Sequence, residues 1–172
     1  MLNRMKQNVS SKSMSIYNLM IPQRSDLREI KKRVDFDFIY EIVSPFYSEF
    51  NGRRSYDPMR LIKMEYLKIR YKISGDNELL AEIQDRASFR EFLGIDLTEA
   101  LPDRTTLVNF RTQIGIKIMN EIFETIVDMC KKEDMVGGKH SVFDGTNTKA
   151  DARIVATRDK IYKEETIKKN QF

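Results

Sequence analysis

Apolar residues recur at three- and four-residue spacing through most of residues 24–135, and that spacing predicts a run of helices. Leu27 and Ile30 face one way in a short helix opened by Ser25 or Asp26, just after Ile21-Pro22. Phe38, Ile39, Ile42 and Val43 mark a second, over about residues 36–44, which Pro45 ends or kinks. Beyond the turn signal Asn51-Gly52, Asp57-Pro58 places a cap before a proline at the first helical position, where the missing N–H costs nothing. The long helix that follows turns Ile62, Tyr66, Ile69 and Ile73 inward, with Met59 and Leu61 beside them. Arg60, Lys63, Lys68, Arg70 and Lys72 then form an outer basic face, expected to be solvated. The stretch Ser74-Gly75-Asp76-Asn77 breaks the helix and offers a new cap. Leu79, Leu80 and Ile83 belong to a helix over about residues 77–84, and Phe89, Phe92 and Leu93 to another over 88–93, stopped by Gly94. After a loop, Asp103 or Thr105 caps a helix with Leu107, Phe110 and Ile114 on one face. A further helix over about 117–134 carries the broadest stripe: Met119, Ile122, Phe123, Ile126, Val127, Met129 and Cys130. Residues 1–20 keep no steady period and are expected to be mostly irregular.

Past Gly137-Gly138 the pattern changes. Val142-Phe143 reads as a short buried strand ending in Asp144, Gly145 lets the chain turn, and Ile154 and Val155 fall on a returning strand. The expected fold is therefore mainly α, a multi-helix N-terminal domain followed by a short β-hairpin. Its divisions are a basic, partly disordered arm over 1–23, a helical domain over 24–136, the first strands over 139–157 and a charged tail over 158–172.

Composition narrows the class. At 172 residues the chain is one domain or a little more, and 41% hydrophobic with 33% charged residues supplies a core and a charged surface. No window approaches the apolar length of a membrane helix, and the N-terminus lacks a secretory leader's apolar run. A single cysteine, Cys130, fits a reducing cytoplasm, and one Cys with one His makes a zinc site very poorly supplied. Charge is uneven. Residues 1–34 hold eight Lys/Arg against two acids, a net +6, so the whole chain's +4 leaves −2 for the remainder. Such an arm suits phosphate contact, or is simply a solvated leader.

Two features could carry chemistry. A carboxylate at a strand end is placed for metal or acid/base work, so Asp144 is a candidate ligand; the alternative is a turn residue capping its own backbone. The helix after Asp103 displays Arg104, Thr105, Thr106, Asn109 and Arg111, the residue types that pair with guanine, adenine and phosphate in a major groove. They are also ordinary surface residues, and the preceding loop is longer than a tight helix-turn-helix turn. Cys130 lies on an apolar stripe and His140 next to the strand; neither is a candidate catalyst.

An ordered set of segments carries a resemblance. Gly52-Arg53-Arg54-Ser55-Tyr56-Asp57-Pro58, Arg70-Tyr71-Lys72-Ile73-Ser74-Gly75, Phe89-Arg90-Glu91-Phe92-Leu93-Gly94, residues 102–111 and Val142-Phe143-Asp144-Gly145-Thr146 occur in that order. Over residues 15–156 the chain resembles the N-terminal half of bacterial insertion-sequence transposases of the DDE class. The resemblance implies a helical region that binds double-stranded transposon ends, then the start of an RNase H-like domain. It also implies two Mg²⁺ ions held by three acidic residues, of which Asp144 matches the first. Only 28 residues follow Asp144, against the ~100 of such a domain. Asp151, Asp159, Glu164 and Glu165 stand too near it in sequence to complete the set. The chain is thus expected to be a truncated transposase, inactive alone. It would be a gene remnant, a DNA-binding repressor that poisons a full-length transposase, or a helical interaction protein without a nucleic-acid role. Separately, the hairpin's open strand edge favours a homo-oligomer or aggregation.

Overall fold

The computed structural model describes residues 2, 4, 9–47, 55–133 and 135, all within the unit Met1–Val136. Among these residues are seven α-helices: α1 (Ser11–Met20), α2 (Asp26–Arg33), α3 (Phe38–Val43), α4 (Pro58–Arg70), α5 (Asp76–Asp85), α6 (Ala87–Leu93) and α7 (Arg104–Lys132). No strand occurs among them; the expected hairpin over 139–157 and the tail over 158–172 lie outside the described residues.

Helix α4 is the centre. The Asp57 carboxylate accepts the Met59 N–H at 2.9 Å, Pro58 takes the first position, and every residue from Pro58 to Leu67 is buried. Helices α3, α5, α6 and α7 all pack on it, while α1 and α2 lean on α6. A helix enclosed in this way has no outer face, so the expected basic face is corrected. Arg60 and Lys63 are buried, Lys68 pairs with Asp76, and Arg70 pairs with Asp26. Ile69, expected in the core, is 46% exposed, because it falls beyond the enclosed stretch. The helix ends at Arg70, and Lys72, two residues on with a φ of +55, lets the Ile73 N–H reach back to the Lys68 carbonyl at 2.9 Å. Gly75, the expected breaker, comes three residues later in ordinary extended backbone.

Residues 11–20, expected to be irregular, are helical. Ser10 caps α1, accepting the Ser13 N–H, and the fully buried Tyr17 donates its hydroxyl to the Ile95 carbonyl at 2.6 Å. That tertiary anchor compensates for a weak periodicity. Gly94 closes α6 in the left-handed conformation at φ +66, as its position predicts. The loop from Gly94 to Asp103 is then held by two buried arginines. Arg60 donates to the Gly94 carbonyl at 2.6 Å and pairs with Glu99; Arg90 donates to the carbonyls of Asp96 and Glu99 at 2.7 and 2.5 Å. Loop and arginines together set where α7 begins.

Helix α7 is two pieces joined at Gly115, whose φ of +77 and ψ of 161 interrupt the helical ladder. The break re-aims the apolar face. At roughly 100° per residue, an unbroken helix would put Ile126 about 120° around the axis from Ile114. With the turn at Gly115, Ile114, Ile122 and Ile126 are all buried in one core.

Candidate nucleic-acid interface

The first half of α7 starts from Asp103. Its carboxylate accepts the Thr106 N–H at 2.7 Å and the Thr106 hydroxyl at 2.9 Å. Those two bonds hold the Asp103 carboxyl below its ordinary range and keep Thr106 half-buried at the cap. Leu107, Phe110 and Ile114 bury the inner face. Outward stand Arg104, Thr105, Val108, Asn109 and Thr112, all exposed and related by steps of one and four residues. Thr112 is internally satisfied by the Val108 carbonyl at 3.0 Å, and Gln113 ties the helix to the turn after α3 (Ser44–Phe46) by donating to the Phe46 carbonyl at 2.6 Å. No carboxylate occurs between Asp103 and Glu121. The exposed face is therefore one of hydrogen-bonding groups, a methyl pair and one guanidinium.

Arg111, grouped with these residues by sequence, is placed elsewhere. Its guanidinium lies 2.6 Å from Glu65 of α4 and binds both oxygens of Asp76 of α5, at 3.1 and 2.5 Å. Lys68 reaches the same Asp76 carboxylate at 2.6 Å. These bonds, Arg111's first, pull the Asp76 carboxyl down to about 2. Arg111 thus clamps three helices together, and the structure brings Arg104, Thr105 and Asn109 together without it.

Nor is the surface a simple pair of consecutive helices. The neighbours of α7 are α3, α4 and α5, and α5 exposes Glu78 and Asp85. Anions would meet repulsion from those two carboxylates, whereas α7 has none between Asp103 and Glu121.

Asp144, the candidate Mg²⁺ ligand, and His140 lie outside the described residues. Among the described residues no three His, Cys, Asp or Glu side chains gather as a metal site, and no helix is long and apolar enough to cross a membrane. Cys130 is half-buried against the core, where loss of water raises its thiol pKa. Sequence reasoning missed Lys63, which packs its ammonium 4.4 Å from the centre of the Phe36 ring and 5.6 Å from that of Phe92. The available signal was its place among Leu61, Ile62, Met64 and Leu67 on a helix with no polar run.

A family of transposase domains (DUF772) matches residues 15–113, a span running from α1 into α7 and taking in the exposed face. No solved structure matches the chain.

Proposed function

The chain belongs to the transposase domain family, and on that premise we propose that it binds double-stranded DNA at the ends of a mobile element through the exposed face of α7. The observation that carries this is a helix face of Arg104, Thr105, Asn109 and Thr112 with no carboxylate until Glu121. Arg and Asn are the side chains that hydrogen-bond guanine and adenine edges, while Thr serves bases or phosphates. The buried side of the same helix supplies rigidity. Arg104 is the guanidinium committed to DNA on this reading, Thr106 positions the helix start through Asp103, and Arg111 supports the platform from behind.

Catalysis belongs to the same proposal. Asp144 is assigned as the first of three carboxylates of DDE-class strand transfer, a hard oxygen ligand for Mg²⁺, which when bound neutralises phosphate charge and activates the attacking water or hydroxyl. The chain is proposed to act at the ends together with further copies of itself or with another transposase chain.

The test is a mobility shift on terminal-repeat duplexes of insertion elements beside scrambled DNA, over a salt series. Specific binding that weakens with salt is expected, with Arg104→Ala and Asn109→Ala each losing about tenfold or more. Equal affinity for both duplexes, or no response to either substitution, would remove the α7 face from the reading. In a strand-transfer assay with Mg²⁺, any product should be lost on Asp144→Asn; product unchanged by that substitution would overturn the carboxylate assignment.

A further inference from the structure

Before Gly115, the exposed face of α7 has one apolar residue among its polar ones, while Ile116 is exposed beyond the break. Val108 is 37% exposed, with Arg104 one turn before it, Asn109 beside it and Thr112 one turn after. Its neighbours on the helix, Leu107 and Phe110, belong to the hydrophobic core, and Val108 is not among the core residues. A β-branched residue lowers helix propensity slightly, so helix formation alone does not favour valine there. Two methyls at the middle of a polar face, flanked by a guanidinium and a carboxamide, match the edge of an A·T pair. In the major groove that edge offers adenine N6 and N7 to an amide and the thymine C5-methyl to an apolar side chain. Resting on the DNA-binding reading above, we propose that Val108 is a specificity-determining residue: it packs on a thymine methyl while Asn109 reads an adjacent adenine. The recognised ends then contain an obligatory thymine whose methyl, and not only its hydrogen-bonding edge, is sensed.

Removing that methyl isolates the claim. A duplex library with a randomised core is selected on the full chain, and the enriched duplex is remade with deoxyuridine replacing each thymine in turn. Base pairing is unchanged by that replacement and only the C5-methyl is lost. One position is expected to weaken binding about fourfold, the worth of burying one methyl-sized group. Val108→Ser should bind the thymine and deoxyuridine duplexes alike, while Val108→Ile should keep the discrimination. Because Val108 stands outside the core, both variants are expected to unfold at the wild-type temperature, which calorimetry checks. If DNA is enriched but every deoxyuridine duplex binds like its parent, or Val108→Ser discriminates as the wild type does, the thymine assignment is wrong and the α7 interface stands. If no duplex is enriched, both fall.

Discussion

Lys63 carries a charge into a position that leaves 2% of the residue exposed. Aromatic faces attract its ammonium, but loss of water, with the Lys31 charge nearby, pulls its pKa down to about 8. Methionine would keep the aliphatic packing and remove the charge. Lys63→Met is therefore expected to stabilise the fold at pH 7 by about 1–3 kcal/mol, measured by urea denaturation; a lower midpoint would mean the Phe36 and Phe92 rings outweigh the lost hydration. Arg111 has the opposite relation to its surroundings, since two nearly buried carboxylates depend on it. Arg111→Met leaves Glu65 without its Arg111 partner and Asp76 with only Lys68, and should cost about 3 kcal/mol. Arg104→Met, on the exposed face, should change stability by less than about 0.5 kcal/mol. Equal effects in the same denaturation experiment would contradict the division of these two arginines into support and contact.

At the scale of the element, Gly115 is where α7 takes a conformation reserved for glycine. Nothing lies within 4 Å of a Cβ added there, so the penalty of Gly115→Ala lies in the backbone, about 1–3 kcal/mol. Should the chain respond by running straight, Ile122 and Ile126 lose their place in the core, and amide exchange over 116–132 would accelerate. Gly75→Ser makes the contrast: with open space around it and extended backbone, a hydroxyl can cap α5, and stability should rise by no more than ~0.5 kcal/mol. A larger loss for Gly75→Ser than for Gly115→Ala in thermal unfolding would refute this account. The break at Gly115 was not read from the sequence, but several other locally encoded features were legible in it. Asp57-Pro58, Gly94, Asp103 and the spacing of Leu107, Phe110 and Ile114 each act within a turn or two of themselves. Helix α1 was not legible, because Tyr17 finds its partner 78 residues away. Arg60 and Lys63 were misplaced because periodicity assumes one solvated face, and α4 has none along its first ten residues. The same reason splits the candidate site: Arg104, Thr105 and Asn109 follow from the cap and the period, whereas Arg111 is claimed by carboxylates that other helices bring to it.

Across the whole molecule the buried titratable groups make stability depend on pH with definite signs. Burial lowers Lys63 to about 8 and also lowers Lys31, against an ordinary 10.5. Between those values the unfolded chain binds more protons than the fold, so stability rises with pH. Tyr17, Tyr40, Tyr47, Tyr56 and Tyr66 are all raised above 10.0 by burial, Tyr47 and Tyr66 to about 12. Their contribution is complete below 10.0 and is lost as pH climbs through the folded values. On the acid side, Asp76's contribution is present above 3.8 and disappears as pH falls towards 2, while Asp57, raised by burial, has the opposite sign. A melting temperature that rises from pH 7 to a maximum at about 9–10 and then drops steeply is the expected profile. A decline already between pH 7 and 9 would show that the lysines are better compensated than their surroundings imply.

The enclosure of α4 has a consequence for how the chain is made. Synthesis runs from the N-terminus, and three of the four helices packed on α4 are encoded after it. Met59, Leu61, Ile62, Met64 and Leu67 therefore leave the ribosome before most of their cover exists, and stay uncovered until α7 has been translated. That interval is when a nascent chain of this sequence is most open to chaperone capture or to sticking to its neighbours on the same message.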